Sequence, residues 1–167
     1  DVYKRQALEF GWFLPTAGDT TAYGVPEAAI DTTPEYLDRV ATVAENAGFS
    51  YILIPVDRAC WEAYITGAFI TANTNSIAPL IAARPGYINP VLLAKMIATF
   101  DQMSGGRICV NLIAGQAEEE LVAEGITYPK ADRYALMEEE VSIMKALWRA
   151  DAPLDFNGRF HQLKGAS

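Results

Sequence analysis

Histidine, cysteine and clustered basic residues are scarce in this chain of 167 residues. One histidine and two cysteines, Cys60 and Cys109, form no Cys-x-x-Cys or Cys/His spacing, so neither a metal site nor a disulfide framework is expected. The net charge is -8, and no lysine- and arginine-rich run is present, which argues against nucleic acid as a partner. No apolar run reaches the roughly 18 residues of a membrane span. We therefore expect a cytoplasmic protein without a membrane partner.

Composition and length are those of one globular domain. Hydrophobic residues make up 51% of the chain, an ordinary share for a protein with a buried core. Two acidic clusters, Glu118–Glu120 and Glu138–Glu140, are interpreted as solvated helix surface. The first six residues, DVYKRQ, do not fit the strand pattern that follows, and we interpret them as a cloning or read-end remnant.

Four short apolar runs each end in a polar loop, and helical patterns lie between them. The runs predict strands at residues 8–14, 51–54, 77–83 and 107–113, separated by a long loop at 15–33 and by helices. The helices are predicted from Thr33 to Gly48, at 60–72, 89–103 and 117–124, and at 131–149 with Asp132 as N-cap. This rhythm predicts an α/β fold with a parallel sheet in chain order and chemistry at the carboxyl ends of its strands.

After the longest helix, residues 154–163 predict a hairpin around Asn157-Gly158, a type I′ turn signal. Four β/α units form either an open sheet or the first half of an eight-stranded barrel, which needs about 250 residues. Cys109 is expected in the core, and His161 is expected to be an exposed structural residue of the hairpin. Three aromatic residues either line a ligand pocket or belong to the core: Trp12, Trp61 and Tyr64.

Six segments, in their order along the chain, resemble the luciferase-like, FMNH2-dependent monooxygenases, and most of all the alkanesulfonate monooxygenases. They are WFLPTAGD (12–19), YILIPVDRACWEAY (51–64), IAARPGYINPVLLAKMIATFDQMSGGR (81–107), VNLIAG (110–115), DRY (132–134) and FNGRFHQLKGA (156–166). The resemblance implies a TIM (β/α)8 barrel. Residues 7–167 would supply its N-terminal half, as the first four β/α units and a hairpin.

The resemblance also implies a chemistry. Reduced FMN would come from a separate NAD(P)H-dependent flavin reductase, and a homo-oligomer would use it with O2 to convert an organosulfur substrate, an alkanesulfonate, to an aldehyde and sulfite. The sulfonate enzymes have a histidine where this chain has Ala17. In such barrels the phosphate loops follow strands 7 and 8, so we expect this chain alone to bind FMN weakly and to be inactive. The alternatives are a deazaflavin-dependent oxidoreductase of the same superfamily and a non-catalytic flavin-binding half-barrel.

The same resemblance assigns site residues. Cys60 and Arg84 take catalytic positions, and Arg133 and Tyr134 lie near the flavin phosphate. The cofactor-binding set is Thr16, Asp57, Asn111, Gly115, Arg133 and Tyr134.

The residues themselves leave other roles open. Arg84 suits an anion or a salt bridge to a loop acid, Cys60 suits a flavin contact or a small buried hydrophobe, and Asn111 is a flavin ligand or a satisfied structural amide. Gly115 permits close approach of a ligand or simply makes a turn. We expect five residues to line one cleft: Thr16, Asp57, Cys60, Arg84 and Asn111.

Overall fold

The computed structural model describes residues 8–115 and 118–167. The interpretation of residues 1–6 and the predicted helix start at residue 117 lie outside the described residues. By packing, the described chain forms two compact units. The first contains residues 8–82 and 107–110, and the second contains residues 83–106, 111–115 and 118–167.

The described strands are β1 (Gly11–Phe13), β2 (Asp19–Thr20), β3 (Ala29–Ile30), β4 (Tyr51–Ile54), β5 (Ala78–Ala83), β6 (Cys109–Leu112), β7 (Leu154–Asn157) and β8 (Gln162–Ala166). The main sheet has four of them, in the order β1-β4-β5-β6. Parallel pairing joins β1 to β4, where Gly11 lies opposite Tyr51, and joins β4 to β5, where Tyr51 lies opposite Ala78. The predicted α/β fold with a parallel sheet in chain order is therefore confirmed.

The five α-helices follow local signals in the sequence. Thr33 caps the first by accepting the Tyr36 N–H at 3.1 Å, and Asn89 caps the third by accepting the Val91 N–H at 3.0 Å. Proline occupies the next position in both, where its missing N–H costs nothing. The helices are α1 (Pro34–Asn46), α2 (Ala63–Asn73), α3 (Pro90–Ser104), α4 (Glu118–Ala123) and α5 (Lys130–Leu147). None of the described helices combines the length and hydropathy needed to cross a membrane.

In the first unit, α1 and α2 pack against each other and α2 contacts β4. The apolar residues of α1 are buried only in part. Leu37 and Ala44 are buried, but Val43 is 59% exposed. Val43 instead lines a groove of about 480 Å³ beside Trp12 and Phe49, whose rings lie 5.2 Å apart.

In the second unit, α3 packs along α5 and β7 contacts α5. Leu93 and Ile97 of α3 and Leu136 and Ile143 of α5 are buried. At the end of α5, the Trp148 indole N–H donates to the Ala94 carbonyl at 3.0 Å. This bond ties the end of the longest helix to α3, although the Trp148 ring is half exposed.

Several local predictions are wrong for identifiable reasons. The segment 15–33 is not a plain loop, because β2 and β3 form a small antiparallel pair within it. Asp132 does not cap α5, since the helix begins earlier, after Pro129, and the Asp132 carboxylate accepts from Arg159 at 3.0 Å. Cys109 is exposed rather than in the core, and it lies on β6, an edge strand of the described sheet.

The predicted type I′ turn at Asn157-Gly158 is also wrong. Asn157 pairs with Gln162, so the connection runs from Gly158 to His161 and has four residues. The Gly158 N–H donates to the His161 carbonyl at 2.9 Å. No described residue other than glycine has a positive φ, whereas a type I′ turn would require one at Asn157.

Candidate functional site

The first group of predicted site residues follows β1 and β4 in the first unit. Thr16 is 1% exposed, and its backbone carbonyl accepts the Trp61 N–H at 3.2 Å. Its side-chain Oγ1 is buried and has no hydrogen-bond partner among the described residues. A buried hydroxyl in this state costs about 1–3 kcal/mol, so a polar ligand atom reached by rotation of the side chain would recover free energy here.

Asp57 and Cys60 form a tight turn after β4. The Asp57 carboxylate accepts from Ala59 N–H at 3.1 Å, and its carbonyl accepts from Cys60 N–H at 3.0 Å. Asp57 is exposed and Cys60 is half-buried. The turn therefore presents the carboxylate to solvent and keeps the thiol partly covered.

The prediction that α2 begins at Cys60 is wrong, because Glu62 caps this helix. The Glu62 carboxylate accepts from the N–H groups of Tyr64 at 3.1 Å and Ile65 at 2.7 Å. These bonds satisfy the free donors of the first turn. Cys60 thus lies before the cap, and the helix amides are not directed at its thiol.

The aromatic residues of this group divide into buried and exposed. Tyr64 is 6% exposed and its hydroxyl has no partner among the described residues. Burial, with a smaller contribution from Glu62, raises the pKa of Tyr64 to about 12. Trp12 and Trp61 are 52% and 42% exposed, so the core interpretation fits Tyr64 alone.

Arg84, directly after β5 in the second unit, is held in a network of acids. Its Nη2 donates to Glu120 Oε2 at 2.9 Å, and its Nη1 donates to Glu124 Oε2 and to the Tyr87 hydroxyl, each at 3.1 Å. The Tyr87 hydroxyl also donates to Glu124. Burial alone would lower the pKa of Arg84, but the bonds to Glu120 and Tyr87 raise it. Of the two roles that the sequence left open, the geometry supports the salt bridge to nearby acids.

The interpretation of both acidic clusters as solvated surface is wrong in part. Glu118, Glu119 and Glu138 are exposed, but Glu120 and Glu140 are 6% and 3% exposed. Glu120 lies in α4 and Glu124 directly follows its last residue, and their spacing of four residues is one that places two side chains on the same side of a helix. This spacing is the feature of the sequence from which a pair of neighbouring acids could have been predicted.

Arg133 lies in the first turn of α5 and is 4% exposed. Its Nε donates to the Ala114 carbonyl and its Nη1 to the Tyr128 carbonyl, both at 2.9 Å. No carboxylate of the described residues forms an ion pair with it. A buried cation held only by neutral carbonyls carries a desolvation cost of several kcal/mol, which a bound anion would offset. Tyr134, beside it, is 47% exposed.

Gly115 and Asn111 lie within three residues of Ala114, whose carbonyl accepts the hydrogen bond from Arg133. Gly115 has φ +87, and a Cβ there would lie 2.6 Å from Leu121 Cδ1. The glycine is therefore required by the turn and by the packing of Leu121, a reason that does not involve a ligand. Asn111 is half-buried on β6. The roles of both residues as cofactor ligands stay predictions.

Glu139 and Glu140 surround His161, which is half-buried rather than exposed as predicted. His161 Nδ1 lies 3.2 Å from Glu139 Oε1, and Nε2 lies 3.5 Å from Glu140 Oε1. Glu140 also accepts the Gly86 N–H at 3.1 Å. Sequence reasoning missed this cluster because its members are up to 75 positions apart along the chain.

The predicted site residues thus fall into two groups. Thr16, Asp57 and Cys60 belong to the first unit, and the second group, from the second unit, is Arg84, Asn111, Gly115, Arg133 and Tyr134. The expectation that five of these residues line one cleft stays a prediction. Within the described residues, no cluster of three or more histidine, cysteine or acidic side chains could hold a metal ion.

Comparison with solved structures identifies the fold. The chain resembles the solved structure of EDTA monooxygenase from Chelativorans sp. BNC1, with a TM-score of 0.80 and 16% identity over 95% of this chain and 46% of that one. An F420-dependent secondary alcohol dehydrogenase in complex with an F420-acetone adduct gives 0.73 and 23% identity, over 95% and 47%. The oxygenating constituent of 3,6-diketocamphane monooxygenase from Pseudomonas putida, in complex with FMN, gives 0.73 and 20%, over 95% and 43%. The chain spans less than half the length of these structures.

The family follows from a model match that covers nearly the whole chain. Residues 8–167 match the luciferase-like monooxygenase family. The chain belongs to this family.

Proposed function

We propose that the protein is the oxygenating component of a two-component flavin monooxygenase, which uses reduced FMN and O2. The observation that carries the proposal is Arg133. It is a buried cation at the start of α5 whose described partners are two neutral carbonyls. Family membership supports the class of reaction.

The position of Arg133 suits the phosphate end of a flavin. A guanidinium matches a phosphate in charge and geometry, and the amino end of an 18-residue helix adds favourable N–H groups and a positive dipole. Tyr134, whose side chain is half exposed, has a hydroxyl that can serve as a further donor. We infer that Arg133 and Tyr134 bind the FMN phosphate.

The sequence resemblance assigns Thr16 and Asn111 to the flavin as well, and each has a polar group to offer. Thr16 supplies a buried hydroxyl in need of a partner, and Asn111 supplies an amide at the end of β6. A bound reduced flavin supplies the electrons with which O2 is activated. The proposed task of the protein is to bind the ring, hold the phosphate and exclude water.

An alkanesulfonate is the proposed substrate, and desulfonation to aldehyde and sulfite is the proposed reaction. The proposal rests on the sequence resemblance, although the alkanesulfonate monooxygenases have a histidine at the position of Ala17. The same resemblance is the basis for proposing a separate NAD(P)H-dependent reductase as partner and a homo-oligomeric state. Sulfite release from a series of alkanesulfonates, measured with a flavin reductase, NADH and O2, would support this part and would overturn the expectation that this chain alone is inactive.

A deazaflavin-dependent oxidoreductase is the second candidate, favoured by the structural similarity to the F420-dependent alcohol dehydrogenase. Both cofactors carry a phosphate, so Arg133 suits either. The candidates differ in oxygen use. Substrate turnover that consumes O2 supports the monooxygenase, whereas turnover of a reduced deazaflavin under strict anaerobiosis supports the alternative.

The cofactor site is tested by comparing FMN with riboflavin, which lacks the phosphate. Fluorescence quenching of each flavin gives its affinity for the wild type, for Arg133→Gln and for Tyr134→Phe. We expect the wild type to prefer FMN, and Arg133→Gln to lose at least tenfold of that preference, equal to about 1.4 kcal/mol. Tyr134→Phe should lose a smaller part with no change in fold.

Arg149→Gln is the matched control, because Arg149 is an exposed arginine just beyond the other end of α5. It should keep the preference for FMN. Equal binding of FMN and riboflavin by the wild type, or an unchanged preference in a folded Arg133→Gln variant, would contradict the assignment. Circular dichroism of each variant reports whether it is folded.

A further inference from the structure

We propose that Glu140 and His161 form a proton-controlled latch between the β7–β8 loop and the loop that follows β5. All of its members lie in the second unit. The latch is a conformational device of the fold, and it does not depend on whether a flavin binds.

The latch rests on a continuous chain of contacts. On one side, Glu140 Oε1 and Oε2 accept the Gly86 N–H at 3.1 and 3.2 Å. On the other side, Glu140 Oε1 lies 3.5 Å from His161 Nε2. One buried carboxylate therefore contacts two loops that are 75 residues apart in sequence.

The second imidazole nitrogen fixes the orientation of the ring. His161 Nδ1 lies 3.2 Å from Glu139 Oε1, and Glu139 also accepts the backbone N–H groups of Arg159, Phe160 and His161 at 2.7, 3.0 and 2.6 Å. Burial alone would raise the pKa of Glu139, but the hydrogen bonds from these residues lower it. The ionised Glu139 favours the tautomer in which Nδ1–H donates to it, and in that tautomer the Nε2 lone pair faces Glu140.

A hydrogen is needed between Nε2 and Oε1 for the two groups to attract each other. It resides either on the carboxyl, which then donates to Nε2, or on Nε2, which then donates to the carboxylate, and the net charge is the same in both forms. When this proton leaves to solvent, the Nε2 lone pair faces a carboxylate and the bond is lost. The Gly86 N–H still donates to the ionised Glu140, so only the β7–β8 side of the latch opens.

Other ionisable groups lie on the elements around Glu140. Arg84, on the same loop as Gly86, is paired with Glu120 of α4 and with Glu124 just after that helix, and Arg159 is paired with Asp132. The remaining ionisable groups on the loop after β5 and on α3, α5 and β7 are Tyr87, Lys95, Asp101, Lys130, Arg133, Tyr134, Glu138, Glu139, Lys145 and Asp155.

Burial, with an added contribution from the charge of Glu139, raises the pKa of Glu140 to about 7, although the Gly86 bond opposes this. The folded value is above the ordinary 4.5. The stabilisation by the closed latch is therefore full below pH 4.5 and is lost as the pH rises through about 7. The structure thus has a closed form in mild acid and an open form in mild base.

Amide NMR of the 15N-labelled chain between pH 5.5 and 8.5 tests the proposal. We expect the Gly86 amide to shift with a midpoint within about one unit of pH 7, because it reports the charge of Glu140 directly. The amides of residues 159–161 should shift with the same midpoint, because the latch couples them to the same proton. In Glu140→Gln both shifts should disappear.

His161→Gln separates the latch from simple titration of Glu140. In this variant Gly86 should still titrate, whereas the amides of residues 159–161 should lose the shared midpoint. Glu138→Gln, which removes an exposed acid two positions away on the same helix, is the control and should match the wild type. A Gly86 amide that does not move in the wild type would overturn the proposal, and so would a midpoint at residues 159–161 that persists in Glu140→Gln.

Discussion

Replacing Glu45 by glutamine should destabilise the first unit by an amount that depends on pH. Glu45 lies in the last turn of α1, and its Oε1 accepts the N–H groups of Asn75, Ser76 and Ile77 at 2.8, 2.5 and 3.0 Å. The Ser76 hydroxyl donates to the same oxygen at 3.0 Å. A single carboxylate thus organises the backbone that leads into β5.

The pKa of Glu45 gives the magnitude. Burial alone would raise this pKa, but the hydrogen bonds from Ser76, Ile77 and Asn75 lower it from 4.5 to about 2. At about 1.36 kcal/mol per pKa unit, the difference corresponds to about 3.4 kcal/mol. Because solvent screens the charge of a half-buried surface group, we expect the loss of unfolding free energy in Glu45→Gln to be about 2 kcal/mol. Some of the N–H groups can still donate to a glutamine oxygen, so the loss could be reduced to about 1 kcal/mol but not below it.

The sign of the pH dependence follows from the lowered value. Stabilisation by Glu45 is present above pH 4.5 and is lost as the pH falls towards 2. Urea unfolding followed by tryptophan fluorescence and circular dichroism should show a loss of about 2 kcal/mol in Glu45→Gln at pH 7, and about half of that loss or less near pH 3. Glu27→Gln, which removes an exposed acid of the same unit, is the control. Equal unfolding free energies for the two variants at pH 7 would refute the reasoning, as would a deficit in Glu45→Gln that is the same at pH 3.

Two further substitutions in the first unit have defined expectations. A Cβ at Gly11 would collide with the Tyr51 ring, so Gly11→Ala should cost about 1–3 kcal/mol of unfolding free energy in urea. The double variant Gly11→Ala/Tyr51→Val should recover part of that loss, and no recovery would show that the ring is not the obstacle. Thr33→Ala removes the cap of α1 and should cost about 0.5–2 kcal/mol, whereas Thr33→Asn should retain most of the stability; equal losses in the two variants would contradict the capping role.

The sequence predicted the regular elements well where the signal was local. The Thr33-Pro34 and Asn89-Pro90 starts are caps in the structure, and the four predicted strands form one sheet in chain order. The predicted helix starts were wrong where another side chain caps the helix or binds the residue that was expected to cap it. Glu62 satisfies the α2 amides that were assigned to a helix starting at Cys60, and Asp132 binds Arg159 instead of capping α5.

Burial of charge was the property that the sequence did not reveal. Glu120 and Glu140 belong to acidic runs that resemble ordinary solvated helix, and both are buried because their partners come from remote segments. Arg84 lies 36 positions before Glu120 and Gly86 lies 54 positions before Glu140. Helical periodicity can show that two acids share a face, but it cannot show what that face meets.

Arg84 and Arg133 illustrate why charge compensation matters for assigning a site. Both are buried arginines that the sequence resemblance assigned to a flavin site. Glu120 and Glu124 together outweigh the charge of Arg84, so this group of three has a net charge of -1 and offers little attraction to a sulfonate or a phosphate. Arg133 keeps its positive charge beside neutral carbonyls. In the second unit, the anionic end of a ligand should therefore be sought at the start of α5 and not at the end of β5.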